Sequence, residues 1–428
     1  MKNKELRITY GKEDIYFTIP EENYCYYIEP KKVNQNKDDE FYVKKAFYDP
    51  IGSLLLNKTL ASGMKILLIV DDITRPTPKK RLIPLIVKEL VDLGIKKKDI
   101  TILIALGTHR YMTDSEIIAT FGEETAKSIQ ILNHEWADST QLIDLGRTPN
   151  NIKIIVNKRI IEADFSIGIG SIVPHSEAGW SGGGKIIQPG ICGWETTAGT
   201  HLIAAKDPKY LNIAGTIKNK VREEIEFIAK KVGLNYIINF ILGPNEQIHE
   251  VVGGDPVIAH RYGVNFAKEI FEIPIKNLAD IVIVSAYPAD LDYWQGDKAV
   301  TYSLRGVKPG GILILVGRFP EGISSSHSVI EEYSHLSYDE LIELASNNKV
   351  KDKVGLAALF IRLHHKRKVS IICISNGLTL AQKAKLDFIH AESVQEAIKT
   401  AIDKQDDKCK IGVIDYGGDL LPVCLQKE

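Results

Sequence analysis

The chain has 428 residues, of which 44% are hydrophobic and 25% charged, with a net charge of -1. That length exceeds one ordinary core and suits two domains, in a composition typical of soluble globular proteins. The balanced charge gives no reason to expect nucleic acid, and no apolar run approaches the length of a membrane span.

The first residues, MKNKELRITYGKEDIYF, carry charges where a signal peptide is apolar, so a cytoplasmic location is expected. The first sixty residues or so alternate in short runs that suggest small strands. Lys65 to Asp72 then reads as a buried strand closed by two acids, followed by a helix from about Lys80 to Leu93 with Gly94 as its stop. Asp99 to Thr108 is a second strand, and Thr113-Asp-Ser-Glu116 is a capping box that opens another helix. Pro256 to Glu272 reads as a long helix. Asp280–Pro288, Gly311–Gly317 and Val369–Asn376 are three more buried-type strands. Strands interleaved with helices predict α/β architecture: two α/β domains with mainly parallel sheets and an active-site cleft between them. The expected division is 1–270 for a cofactor-binding, catalytic domain and 271–428 for a second one. The last strand, at about 410–424, is free to pack back on the first. The cysteines, Cys25, Cys192, Cys373, Cys409 and Cys424, form no CxxC pair, so neither a disulfide framework nor a cysteine zinc site is expected.

Four polar clusters stand out. The first is Asp71-Asp72-Ile-Thr74-Arg75-Pro-Thr-Pro78, where prolines hold an arginine beside two acids at a strand end. A guanidinium so placed suits a carboxylate or a phosphate; an Asp–Arg pair bracing the turn is the plainer account. The second is Gly107-Thr-His109-Arg110, a histidine at a strand end that is either a general base or a loop hydrogen-bonding group. The third runs from Ser171 to His201, SIVPHSEAGWSGGGKIIQPGICGWETTAGTH, and sets Lys185 on a glycine run between His175 and His201. Its GxxxxGK spelling fits a phosphate loop. Yet Ile186 stands where Ser or Thr should hold magnesium, and Pro189-Gly190 interrupts the helix that should follow. A lysine there suits a covalent tether, because its amine is a nucleophile once its pKa is lowered. A lone histidine such as His201 suffices for a metal only if a cofactor brings further donors. The fourth cluster, Ala286 to Ala299, contains Trp294 and places Gln295 and Lys298 on one helix face.

Together the segments DDITRPTP, ALGTHRYMT, VPHSEAGWSGGGKIIQPG and YPADLDYWQGDKA, in that order, resemble the nickel-dependent lactate racemase family. The resemblance covers nearly the whole chain. It implies an isomerase, a racemase or epimerase that inverts the Cα configuration of a 2-hydroxy acid. The chemistry implied is proton-coupled hydride transfer to and from a nickel-pincer nucleotide, a pyridinium-3-thioamide-5-thiocarboxylate mononucleotide. By the same resemblance Lys185 tethers that cofactor, His201 completes the nickel coordination, and His109 and His175 are the acid–base pair. Arg75 clamps the substrate, Gln295 and Lys298 orient it with Trp294 beside them, and Asp72, Thr74, Gly183 and Gly184 belong to the cofactor site. Cofactor-synthesis enzymes are implied as cellular partners.

Departures from the family pattern point away from lactate. Trp294 stands where the lactate enzyme has tyrosine, and Val354 stands at the position expected for an active-site tryptophan. The loop Gly317-Arg-Phe-Pro-Glu-Gly322 also differs. A different 2-hydroxy acid is the expectation, with larger aromatic, dicarboxylic or sugar-derived acids among the candidates. Two other readings stay open, a nucleotide-dependent kinase or ligase using GWSGGGK and a non-catalytic protein that binds a hydroxy acid.

Overall fold

A computed structural model describes residues 2–206, 213–346 and 350–426. In chain order the principal strands are β1 (Tyr24–Ile28), β2 (Ile66–Asp71), β3 (Ile100–Ala105), β4 (Gln130–Asn133), β5 (Phe165–Ser171), β6 (Tyr236–Leu242) and β7 (Ile248–Gly254). They continue with β8 (Ala279–Ser285), β9 (Val307–Val316), β10 (Ser370–Ile374), β11 (Ile389–His390) and β12 (Ile411–Ile414). These strands form two six-stranded sheets, in the orders β7-β6-β5-β2-β3-β4 and β11-β10-β9-β8-β12-β1. Every pairing is parallel except β6 with β7. Each residue of β2, β5 and β6 is buried, as parallel strands covered by helices on both faces require. The expected α/β architecture is therefore the one observed.

The sheet composition departs from a simple cut near residue 271. β1 pairs with β12, and the hairpin Asn3–Tyr10 with Glu13–Pro20 packs Ile8, Phe17 and Ile19 against Ile281, Ile312 and Val413. The first strands thus belong with the second sheet, because their apolar residues complete its face. β12 also lies inside that sheet, between β8 and β1, and does not return to the first. The remaining apolar layer between the sheets includes Val173, Phe271 and Tyr302. No helix among the described residues is long and apolar enough to cross a membrane.

The polar clusters sit where parallel sheets place ligand sites, beyond the C-terminal ends of strands. Asp71 closes β2, the His109 loop follows β3, His175 follows β5, and the fourth cluster follows β8.

Candidate active site

The turn after β2 is internally braced. Asp71 accepts from the Thr77 hydroxyl at 2.6 Å and from the Lys79 ammonium at 2.9 Å. The Lys79 ammonium also donates to the Asp72 carbonyl at 2.9 Å. Asp72 is buried and turns the other way. Its Oδ1 accepts from the Thr74 N–H at 3.0 Å and the Thr74 hydroxyl at 2.6 Å, and its Oδ2 lies 2.6 Å from His109 Nδ1. Burial alone would raise the Asp72 pKa, but His109, Arg75 and the Thr74 hydroxyl hold it well below the usual carboxylate range. His109 therefore donates through Nδ1 and leaves the Nε2 lone pair toward the cleft, 3.5 Å from Gln295 Nε2. Burial pulls the His109 pKa down, against the pull of Asp72. The Arg75 guanidinium makes no hydrogen bond or ion pair with the described residues, so it brings a free cation to the cleft.

The segment after β5 forms a two-residue antiparallel ladder, Pro174–His175 against Gly179–Trp180. His175 Nδ1 accepts from the N–H groups of Glu177 and Ala178 at 3.2 and 3.3 Å. A neutral ring so held carries its hydrogen on Nε2, the opposite arrangement to His109. Burial, with Lys185, Arg75 and Lys298 nearby, lowers the His175 pKa well below its ordinary value. Gly183–Ile186 is a single 3-10 turn, and the next helix, α1 (Trp194–Lys206), begins only at Trp194. A phosphate loop needs its helix at once, so the kinase reading loses its structural basis. The buried Arg222 guanidinium donates to the carbonyls of Ala178, Trp180 and Gly182, pinning the loop from α2 (Lys220–Val232).

Lys185 leaves this turn with its amine in the cleft and no hydrogen bond or ion pair to the described residues. Burial and the Arg75 charge push its pKa well below the usual lysine range, with Glu177 opposing. Gly183 and Gly184 correct an expectation, since neither lines the cleft. A Cβ on Gly183 would lie 2.8 Å from the His260 ring and one on Gly184 2.8 Å from Ala229, so both serve close packing of the loop. Thr74 likewise braces Asp72 and lines two side clefts, not the main one. Gly190 has still less room, because an added methyl would collide with the Ile186 carbonyl oxygen. Gly190→Ala is expected to destabilise the fold by about 2 kcal/mol, read from denaturant unfolding. An unchanged midpoint would contradict the packing described.

His201 stands on α1 with Nδ1 2.8 Å from the Thr197 carbonyl and Nε2 3.1 Å from Glu177 Oε2. From the second sheet comes α3 (Tyr293–Ser303), capped by Asp292, whose carboxylate accepts from the Gln295 N–H at 2.7 Å. Lys298 donates to Gln295 Oε1 at 2.6 Å, as their shared helix face predicts. Burial and the Arg75 charge bring the Lys298 pKa down to about 7, with Asp419 opposing. Trp294 meets His109 edge-on at 5.5 Å and His327 at 4.2 Å between ring centres.

The helix α4 (Lys353–Lys366) turns Ala358 and Ile361 onto the cleft. Val354, one turn earlier, is sealed in the core at 1% exposure, so the small wall residue is Ala358 and not Val354. In the altered loop, Phe319 is buried while Glu321 reaches the side cleft next to Trp294.

One cavity of about 1060 Å³, open to solvent, gathers Asp72, Arg75, His109, His175, Lys185, His201, Trp294, Gln295 and Lys298. Sequence reasoning missed Glu177, Asp419 and Trp136. Glu177 lies within the motif but between its more reactive neighbours. Asp419 follows β12, where the strand-end rule would have pointed. Its pKa is pushed up to about 6 by burial, against the pull of Lys298 and Arg75. Trp136 donates its indole N–H to the His109 carbonyl at 2.9 Å, a contact with no local sequence signal.

Comparison with known proteins identifies the chain's relatives. Residues 10–211 match the lactate racemase N-terminal domain and residues 275–421 the lactate racemase C-terminal domain. A lactate racemase from Thermoanaerobacterium thermosaccharolyticum is 33% identical over 324 residues, covering 74% of this chain and 75% of that one. The lactate racemase of Lactiplantibacillus plantarum is 28% identical over 425 residues, covering 96% of this chain and 97% of the other. The apoprotein structure of the Thermoanaerobacterium enzyme superposes with a TM-score of 0.87 at 27% identity, over 98% of this chain and 100% of that one. A chain with both domains of this family in order, and a fold superposing along nearly its whole length, belongs to the lactate racemase family and is a racemase-type isomerase.

Proposed function

We propose that this protein inverts the Cα configuration of a 2-hydroxy acid larger than lactate, using a nickel-pincer nucleotide tethered at Lys185. The observation that carries this reading is the single cavity, which joins two histidines, a free guanidinium and a buried, unpaired amine. The residues fit such a cofactor. Gly107, Gly170, Gly182 and Gly190 line the cavity, leaving room for close approach. Lys185 offers an amine whose lowered pKa suits a nucleophile. Among the described residues no group of three or more metal-ligating side chains exists, so a metal at His201 has to arrive with donors of its own. Sulfur donors with imidazole suit nickel. The chain then depends on cofactor-synthesis enzymes for its loading.

When bound, the nucleotide supplies a reversible hydride acceptor for the substrate carbon. The protein does the rest. Arg75 and Lys298 bind the substrate carboxylate, the guanidinium by its fork and the ammonium as a point charge. Gln295 fixes Lys298 and sits beside His109 Nε2, which takes the hydroxyl proton of one enantiomer. Asp72 holds the His109 ring in the tautomer that permits this. His175, whose hydrogen is on Nε2, serves the opposite configuration from the donor side, offering that N–H to the substrate oxygen. Trp294 and Ala358 shape the wall against the substrate side chain; Trp294 adds an aromatic surface and Ala358 leaves space.

Holo-protein made alongside the cofactor-synthesis enzymes is to be offered enantiopure 2-hydroxy acids, with products resolved by chiral chromatography. Inversion of at least one acid larger than lactate is expected. Preference for lactate over all larger acids would refute the substrate class, and inversion of none would refute the activity. The Lys298 pKa adds a pH test. Below about pH 7 the amine is protonated and binds the substrate anion; above it the charge is lost. KM is therefore expected to rise as pH passes upward through about 7, and Lys298→Met is expected to flatten that rise.

A further inference from the structure

Asp297 lines the main cavity, yet it has no role in the reading above. It stands on α3 one turn beyond Trp294 and next to Lys298. Its Oδ1 is occupied: the Tyr293 hydroxyl donates to it at 2.9 Å, and His365 Nδ1 lies 3.2 Å away. These partners hold the carboxylate between α3 and α4. Its Oδ2 makes no hydrogen bond or ion pair with the described residues. The side chain is 17% exposed, so the second oxygen is open to what enters the cavity.

Ala358, Ile361 and His365 share one face of α4, at i, i+3 and i+7. The first two line the cavity and the third meets Asp297. The carboxylate therefore stands against the wall where Ala358 leaves space. Lys298 is its neighbour in the chain, with Cα atoms about 3.8 Å apart. An acid whose carboxylate is held by Lys298 has its side chain within reach of Asp297.

The chemistry of this wall chooses among the larger acids. A carboxylate oxygen only accepts, so its partner has to be a donor. A second carboxylate on the substrate is repelled by Asp297, and no cation is left to receive it. Among the described lining residues, Arg75 and Lys298 take the first carboxylate and Lys185 takes the tether. Arg110, in the side cleft, is already held by Glu116 at 2.9 and 3.0 Å and by Glu321 at 3.5 Å. An aromatic ring offers Asp297 no donor and strips water from it. An ammonium on the side chain meets the three cations of the cavity. A hydroxyl is neutral and donates.

We propose that Asp297 binds a side-chain hydroxyl of the substrate and so sets specificity: the protein acts on 2-hydroxy acids whose side chain is itself hydroxylated, as in sugar-derived acids. The proposal rests on the reading of Arg75 and Lys298 as the clamp for the substrate carboxylate.

The probe is erythronate, a four-carbon acid with further hydroxyls on C3 and C4. It is set against 2-hydroxybutanoate, the same chain without them, and against malate and phenyllactate. Binding to the full-length protein made without cofactor-synthesis enzymes is read by calorimetry, and inversion at C2 by the loaded protein is read by chromatography. Erythronate is expected to exceed 2-hydroxybutanoate by at least about tenfold in affinity and about a hundredfold in kcat/KM, as in sites built around a substrate hydroxyl. Asp297→Asn, which keeps the shape, is expected to weaken erythronate binding and raise its KM by at least about tenfold, with 2-hydroxybutanoate changed less than about twofold. Equal losses on both acids would overturn the proposal and leave Asp297 as a brace for Tyr293 and His365. Wild-type protein that binds erythronate no better than 2-hydroxybutanoate, or that prefers malate or phenyllactate, would overturn it without recourse to a variant. Erythronate that binds through Asp297 but is not inverted by the loaded protein would uphold the specificity and refute the isomerase reading alone.

Discussion

Lys185→Ala is expected to fold normally, to carry no covalently added nucleotide and to lose turnover by on the order of 10⁴-fold, as when a catalytic unit loses one member. Stability is expected to hold because the substitution removes a buried amine that makes no hydrogen bond or ion pair with the described residues. The loss of function follows from the same burial. A lysine whose pKa is lowered and whose amine is unpaired is a nucleophile, and the other amine lining the cavity, Lys298, is engaged with Gln295. Lys185→Arg is not expected to rescue, because a guanidinium stays protonated and does not form the bond. Intact-mass spectra of both variants, made with the cofactor-synthesis enzymes present, give the answer. An adduct that persists in Lys185→Ala would show that the tether lies elsewhere.

The second large effect concerns His109. His109→Ala is expected to lower kcat/KM by about 10²–10⁴-fold, the usual contribution of a positioned proton acceptor. For a substrate with one stereocentre the two enantiomers are equal in energy, so kcat/KM must fall equally in both directions. The asymmetry between His109 and His175 therefore has to appear in kcat and KM taken separately. Only His109 is backed by a carboxylate, Asp72 at 2.6 Å, whereas His175 rests on two backbone N–H groups. Asp72→Asn is expected to cost less than His109→Ala and to change the ratio of the two kcat values. Progress curves from each pure enantiomer supply these numbers. An unchanged kcat ratio would remove the special role given to Asp72.

The parts of the fold legible in the sequence were those with unbroken apolar runs. Ile66–Asp71, Ile100–Ala105 and Ala279–Ser285 are such strands, and a loop or helix carrying site residues follows each. Phe165–Ser171 escaped notice because glycines and serines interrupt it. The structure supplies the reason: a Cβ on Gly168 would press on Ile186 at 2.6 Å, and one on Gly170 on Asp71 at 3.0 Å. The strand gives up its apolar signature so that the lysine loop and the acid turn can close over it. In the site, residues with reactive side chains in tight motifs were readable. Glu177 and Trp136 were not, because their importance comes from partners brought together by folding. Gly183 and Gly184 misled for the converse reason. A glycine run signals close approach, but here the approaching group is the protein's own helix.

The placement of β1 in the second sheet has a mechanical consequence. The backbone crosses from one sheet layer to the other twice, once after Ile28 and again on the way from Gly254 to Ala279. The two crossings run side by side: the Lys31 ammonium donates to the Glu269 carbonyl, and Pro30 shares a cleft with Ile270 and Phe271. They form one strap of two chains on one side of the molecule. The active-site cavity draws Arg75 from one sheet layer and Lys298 from the other, so the strap that joins the layers also helps to set the distance between the two cations.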